Sequence, residues 1–340
     1  MKTYKHLWDE FISAENFDLA ARKAVRGKRG RISTQKFLRR RTRKLARLRE
    51  MLERGEYKTG RYRIFTIYEP KQRQIYMLPL YPDHIVHHAL MNILAPIWIK
   101  IFLADSYACI PGRGLHPASQ KCVSHVRKNK YVLQCDISKF YPSIRHDIMK
   151  KIIRKKISDK RMLALLDDII TSAGGDVGMP IGNLTSQWMG NLYLNELDIF
   201  VKHHLRARHY IRYCDDFCIF ANDTRELARY RDEIAEFIRD NLDLHFSKAF
   251  IKPTAVGVNF IGYRHFANHI VLTRVGARKM RRRIQSVINN AEISACMRGR
   301  IASLSGWLGW CCGQNLRRRF YGMISNATDG VFARFFRAYF

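Results

Sequence analysis

Acidic residues are scarce in this 340-residue sequence: 29 Asp and Glu stand against 61 Lys and Arg, a formal charge of +32. A compact body with that charge repels itself unless a polyanion or many counterions lie close. Nucleic acid is therefore the leading partner, and an acidic membrane surface the second. Long apolar runs are missing as well. None approaches the roughly 20 residues that cross a bilayer, which removes a membrane-spanning protein from consideration. In the N-terminal "MKTYKHLWDEFISAENF", Asp9, Glu10 and Glu15 stand where a signal peptide would have its apolar centre, so the expectation is a soluble cytoplasmic protein with no membrane partner. Of the eight cysteines none forms a C-x-x-C pair and their spacing is irregular. That excludes a zinc ribbon or a disulfide framework and leaves small buried hydrophobes. Repeats, low-complexity tracts and an obvious flexible linker are also absent, so one interlocked, multi-lobed unit is expected.

What is present can fill a core, since 47% of the residues are hydrophobic. Residues 22–49 carry 14 Lys or Arg and no acid, with Phe37, Leu38, Leu45 and Leu48 at helical spacing. One face would pack while the rest stays cationic, either as a solvated face or as a phosphate-binding one. "RGKRGR" reads as a flexible break before that helix. "RYRIFTIYEPKQRQIYMLPL" reads as a β-hairpin whose tip carries Lys71 and Arg73, either a soluble turn or a clasp for a triphosphate. A helix follows with Ile85, Ala89, Ile93 and Ile97 on one face; His84, His87 and His88 within it lack a carboxylate to complete a metal site. "IPGRGLHPAS" is a turn opening another helix, with glycine spacing wrong for a dinucleotide fingerprint.

"KYVLQCDISKFYPSI" begins as a buried strand and places Asp136 near its end. "GMPIGNLTSQWMGNLYLNELDIFVKHHL" is a loop running into a long helix capped by Asn183. In "RYCDDFCIF" two adjacent carboxylates, Asp215 and Asp216, interrupt apolar residues. Alone, such a pair is a common hairpin turn, because Asp tolerates turn geometry. Its companion Asp136, 79 positions earlier on a second buried strand, opens another reading. Neighbouring buried carboxylates are favourable chiefly around a divalent cation, and oxygen-only ligands select Mg²⁺, with Mn²⁺ as substitute. Two such ions about 4 Å apart activate a 3′ hydroxyl and stabilise a leaving pyrophosphate. Nucleotidyl transfer is the reaction class, if those acids meet. An amphipathic helix near 224–241 follows, then short strands in "LHFSKAFIKP" and "VNFIGYRHF", and a basic helical segment from about Thr273 containing "RKMRRR" and "RRR".

"QCDISKFYPSI", "GMPIGNLTSQWMGNLYLNELD", "RYCDDF", "LHFSKAFIKP" and "VNFIGY" resemble, in order, motifs A to E of reverse transcriptases, with the Arg73 hairpin as the preceding fingers element. The resemblance covers residues 61–264 and implies an α+β right-hand polymerase. Its parts are a basic N-terminal helical segment (1–60), fingers (61–130), a palm (131–272, with a fingers insertion at about 147–178) and a helical basic thumb (273–340). It implies an RNA-directed DNA polymerase with Asp136, Asp215 and Asp216 catalytic, and Asp136, Ile137 and Asp215 holding two Mg²⁺. The nucleotide would be bound by Lys71, Arg73, Tyr141, Ile181, Gly182, Gln187 and Lys248. Among these, Tyr141 is an aromatic gate against the ribose 2′ hydroxyl and Lys248 a proton donor to pyrophosphate. Phe260, Ile261, Gly262 and Tyr263 would grip the primer. Arg39, Arg40, Arg43, Lys44, Arg278, Lys279, Arg281 and Arg282 are the basic residues expected to bind nucleic acid.

"IGNLTSQ" departs from the retroviral Gln-Gly…Ser-Pro pattern and resembles reverse transcriptases of diversity-generating retroelements, as does "ENFDLAARKAVRGKRG". That lineage implies copying of a template-repeat RNA into cDNA with errors opposite adenines, through an RNA–DNA hybrid and deoxynucleoside triphosphates. It also implies mutagenic retrohoming and a small basic pentameric accessory protein. Group II intron and retron enzymes are the enzymatic alternatives. A noncatalytic RNA-binding scaffold with structural acids is the alternative of another class.

Overall fold

The computed structural model describes residues 3–68, 72–288 and 295–312, together with Arg318 and Gly322. Lys71 and most of the "RRR" stretch at 317–319 lie outside the described residues. Among those described, no helix is long and apolar enough to cross a membrane. Helices and antiparallel sheet are mixed, and the chain divides into two compact units, each built from three separate stretches. One comprises Met1–Ile110, Cys135–Ala207 and Asp232–Lys248; the other comprises Pro111–Gln134, Arg208–Arg231 and Ala249–Phe340.

The core of the first unit is helical. Helix Ala14–Ala24 packs on helix Ile85–Ile99, presenting Phe17, Ala20, Ala21 and Ala24, small residues that let two backbones approach. Ile85, Ala89, Ile93 and Ile97 are buried as expected, but so are Val86, Leu90, Leu94 and Trp98. This helix is therefore central rather than one-sided. Each fully buried aromatic such as Phe11 or Phe17 contributes about 2–3 kcal/mol of transfer free energy. Polar groups fix the register of these parts. Asn16 Nδ2 donates to the carbonyls of Phe11 (2.7 Å) and Ala89 (3.2 Å). Asp159 accepts at once from the backbone N–H groups of Leu7 and Trp8 and from those of Arg161 and Met162, capping helix Lys160–Thr171 while anchoring the N-terminal segment. His87 is core too: its Nδ1 lies 3.2 Å from Thr185 Oγ1, and burial pushes its pKa down to about 3.

The basic N-terminal region forms two helices, Ile32–Leu38 and Arg41–Glu53, rather than one. Phe37, Leu45 and Leu48 are buried, whereas Leu38 is 36% exposed. The break at Arg39 and Arg40 turns Leu38 out of phase with the packed stripe. Arg39, Arg40 and Arg43 are exposed; Lys44 instead holds its ammonium 4.9 Å from the centre of the Tyr81 ring. The hairpin read from the sequence is present as β1 (Arg63–Ile67) and β2 (Arg73–Met77), paired from Arg63–Met77 to Ile67–Arg73.

The second unit is organised by sheet. Strands β3 (Tyr131–Ile137), β4 (His209–Tyr213), β5 (Asp216–Ala221) and β6 (Phe246–Pro253) form a sheet of order β4-β5-β3-β6. The unit takes in β3 through Gln134 and β6 from Ala249. Strands β7 (Val258–Phe260), β8 (Tyr263–His265) and β9 (Ile270–Leu272) make a second sheet. Helix Leu115–Lys128 lies against β4, β7 and β8. Within it Ser119 Oγ is 2.8 Å from His265 Nε2 and accepts from Trp310 Nε1 at 2.8 Å. Buried this way, His265 has its pKa lowered to about 4 and stays neutral. The basic helix expected from Thr273 is Arg274–Ile288. Met280 and Ile284 face inward, Arg278, Arg281 and Arg282 are exposed, and Lys279 is half-buried.

Candidate active site

The carboxylate pair sits on a tight hairpin. Tyr213 pairs with Asp216, which leaves Cys214 and Asp215 as the turn. Cys214 adopts φ 55, a left-handed conformation costing a side-chain-bearing residue about 1–2 kcal/mol. The fully buried Arg212 holds that turn, its Nη1 donating to the Cys214 carbonyl at 3.0 Å. Beyond the turn Phe217, Cys218, Ile219 and Phe220 are all buried, while Asp216 is exposed and Asp215 half-buried. The pair thus does form a hairpin turn, one that presents its carboxylates instead of hiding them.

A second hairpin in the same unit joins β7 to β8. Phe260 pairs with Tyr263, and the turn residues Ile261 and Gly262 both have positive φ, 48° and 86°. Phe260 and Tyr263 are core residues; Ile261 is half-buried and Gly262 exposed. The Tyr263 ring stacks on Trp307 at 5.1 Å, and its hydroxyl donates to the Trp307 carbonyl at 3.1 Å. A Cβ on Gly262 would come within 2.8 Å of the Trp307 ring.

Asp136, Tyr141, Arg73, Ile181, Gly182, Gln187 and Lys248 belong to the first unit. The half-buried Asp136 accepts a 2.5 Å hydrogen bond from the Ser247 hydroxyl at Oδ2, and the Ser138 N–H donates to the His245 carbonyl at 2.8 Å. These bonds tie the end of β3 to the start of β6, next to the exposed Lys248. Tyr141 follows a left-handed Lys139 (φ 42), and its carbonyl accepts from Met179 N at 2.8 Å. Its ring lies over Gly190 of helix Leu184–Ile199: a Cβ there would meet Tyr141 Cε1 at 3.2 Å and its hydroxyl at 3.3 Å. The Ile181 carbonyl accepts from Tyr76 N at 2.8 Å. Strand β2, which begins at the exposed Arg73, is thereby fastened to the loop before the helix.

Gly182 makes that fastening possible, with φ 129 and a hypothetical Cβ only 2.6 Å from the Tyr76 carbonyl. Gly182→Ala is expected to cost about 1–3 kcal/mol of stability, through strain and loss of the Tyr76–Ile181 contact; a denaturant midpoint that does not move would contradict this. Asn183 occupies the N-cap position but caps nothing with its side chain, which donates instead to Tyr62 Oη at 2.8 Å. The expected capping bond is replaced by a tie to the segment before β1. Gln187 is exposed on the first turn of that helix.

Sequence reasoning did not single out Ser247, Arg212 or Gly190. A glycine inside an apolar helical pattern was a usable signal for Gly190. Nothing in "HFSK" marks Ser247, and nothing in "YIRYC" marks a buried arginine.

Among the described residues no three His, Cys, Asp or Glu side chains converge into a group that would hold a metal. Mg²⁺, however, is characteristically held by one or two carboxylates, with water and substrate phosphates completing six ligands. Asp136, Asp215 and the main-chain carbonyl of Ile137 are oxygen donors of the right hardness, and in that respect the residues suit Mg²⁺ or Mn²⁺.

Residues 69–265 match the reverse transcriptase (RNA-dependent DNA polymerase) family, and the chain belongs to it. Its fold class is accordingly the α+β right-hand polymerase. Protein YkfC of Escherichia coli is 25% identical over 234 residues, covering 55% of this chain and 61% of that protein. The group II intron-encoded protein LtrA of Lactococcus lactis is 26% identical over 132 residues, 36% of this chain and 22% of LtrA. The chain therefore spans somewhat less than two thirds of YkfC and about a fifth of LtrA. A solved telomerase from Candida albicans, in complex with a fragment of telomeric RNA, aligns over 84% of this chain and 62% of its own, at TM-score 0.49 and 10% identity.

Proposed function

We propose that the protein polymerises deoxynucleotides on an RNA template by two-metal nucleotidyl transfer, producing cDNA within an RNA–DNA hybrid. The observation that carries this reading is the match of residues 69–265 to the reverse transcriptase (RNA-dependent DNA polymerase) family, a span that contains Asp136, Asp215 and Asp216. Mg²⁺, when bound by Asp136, Asp215 and the Ile137 carbonyl, supplies activation of the 3′ hydroxyl and charge neutralisation at the pyrophosphate. Asp216 adds negative charge beside them. Arg73 and Lys71 hold the triphosphate by charge-assisted hydrogen bonds, Tyr141 closes the space a 2′ hydroxyl would need, and Lys248 donates a proton to the departing pyrophosphate. Ile181, Gly182 and Gln187 border the nucleotide. The turn within Phe260–Tyr263 supports the primer, and the exposed cations of residues 39–43 and 278–282 meet backbone phosphates.

The finer reading is a diversity-generating retroelement enzyme that copies a template-repeat RNA for mutagenic retrohoming, beside a small basic pentameric accessory protein. Support comes from "IGNLTSQ". The Ile181 carbonyl is bonded to β2, and an aliphatic side chain offers the nucleotide no amide hydrogen bonds, so mispaired geometries are penalised less. The similarity to LtrA favours a group II intron type as the second reading.

Primer extension on a defined RNA with deoxynucleotides and Mg²⁺, followed by sequencing, tests both. Errors concentrated opposite adenines support the retroelement type, evenly spread errors support the intron type, and no product even with cognate RNA and accessory protein overturns the polymerase. Ile181→Gln is expected to reduce errors at template adenines; an unchanged spectrum would refute the role given to Ile181.

A further inference from the structure

A cleft of about 690 Å³ lies within the second unit, lined by residues 126–131, Asn222, 253–255 and 266–268. Nothing assigned above uses it. It opens where β3 begins at Tyr131, where β5 has ended at Ala221, and where β6 ends at Pro253. Asp216 is at the opposite end of β5, about 20 Å away at 3.3 Å per residue.

The chemistry of the lining is one-sided. Arg127, Lys128 and Lys130 are exposed and the lining includes no carboxylate, while Tyr131 and Phe266 contribute rings and Asn222 and Asn268 contribute amides; the buried Asn129 gives its own amide to the His125 carbonyl at 2.8 Å. The walls are already fixed. Thr254 Oγ1 donates to the Asn129 carbonyl at 2.6 Å, Thr254 N donates to the Lys130 carbonyl at 2.8 Å, and the Lys130 N–H donates to Asn222 Oδ1 at 2.9 Å. Arg127 Nε donates to the Ala267 carbonyl. Phe266 is stacked with His269 at 4.4 Å, and the Arg264 guanidinium lies 5.3 Å from its ring. A site that needs little reorganisation forfeits less entropy on binding. Cations for phosphates, rings and amides for unstacked bases, and no acid to repel either describe single-stranded nucleic acid rather than a small metabolite.

From this we infer that the cleft is a second RNA site, holding an unpaired stretch of the template RNA at the end of the sheet remote from the carboxylates. The inference rests on the template being RNA, as proposed above, but its test needs neither metal nor nucleotide. Full-length protein is mixed in EDTA with a 4-thiouridine-substituted single-stranded RNA, irradiated, and the crosslinked peptides identified. Crosslinks in residues 126–131, 253–255 or 266–268 are expected; crosslinks confined to other segments would overturn the inference.

A second measurement is anisotropy with the same RNA for Lys128→Glu combined with Lys130→Glu, thermal melting confirming that the variant folds. Roughly tenfold weaker binding is expected, with the slope of log affinity against log salt reduced by about one to two, since each phosphate contact on a single strand contributes about 0.7. An unchanged slope would overturn the inference. So would poly-glutamate competing as well as RNA, because that would assign the cleft to an acidic protein. Primer extension in Mg²⁺ reads the polymerase separately, so failure of either proposal is seen without the other.

Discussion

Asp215→Asn is expected to lower RNA-templated DNA synthesis by at least about 10²-fold to 10³-fold, the scale on which a single preorganised electrostatic group acts at a reacting centre. The substitution keeps the shape of the side chain and its ability to sit in the turn, so the hairpin from β4 to β5 should survive. Arg212, fully buried and bonded to the Cys214 carbonyl, holds that turn through the main chain. Near-wild-type thermal stability beside lost synthesis is the signature of a functional carboxylate. Full synthesis in Asp215→Asn would return the pair to the ordinary role of turn residues. Loss of both stability and synthesis would instead assign the Asp215 side chain a structural part in the turn.

The second large effect is on sugar selection. Tyr141→Ala is expected to raise ribonucleotide incorporation relative to deoxynucleotide by about 10²-fold, the range over which a pocket discriminates by excluding one small group. The reason lies in how the ring is held. Its main-chain carbonyl accepts from Met179 N, and its ring rests on Gly190, where any Cβ would come within 3.2 Å. With one side of the ring seated on Gly190, its removal tests directly whether it excludes a 2′ hydroxyl. Gly190→Ala should displace the ring and relax discrimination in the same direction, though less than removing it. Unchanged discrimination in Tyr141→Ala, measured as the ratio of kcat/KM for the two nucleotides, would show Tyr141 to be core packing.

The parts of this site that depend on local pattern were legible in the sequence. The hairpin bearing Arg73, the helix Thr224–Leu242 and the strand bearing Asp136 are where alternation, turn residues and helical spacing put them, whereas "VNFIGYRHF", expected as a short strand, folds into a hairpin of its own. The order of the motifs identified the family although each motif alone is weak. What escaped notice depends on partners far away in the chain. Ser247 bonds a carboxylate 111 positions earlier, and a serine in a short polar stretch gives no hint of that. Arg212 is charged in a strand of aromatic residues, and its burial follows from the turn it supports. Asn183 has the identity and position of a cap, yet a tyrosine hydroxyl 121 positions away takes its amide. Leu38 shows the reverse: its apolar spacing fits one continuous helix, and a local break at two arginines removes it from the core.

Asp136 and Asp215 are proposed to hold one pair of divalent ions. Fe²⁺ substituted for Mg²⁺ in the presence of ascorbate and peroxide cuts the main chain close to where it binds, and the cut sites can be read by mass spectrometry. The account predicts cleavage around both residue 136 and residue 215, suppressed by excess Mg²⁺ and lost at both places in either Asp136→Asn or Asp215→Asn. Cleavage at one place that persists when the other aspartate is replaced would contradict a shared metal site.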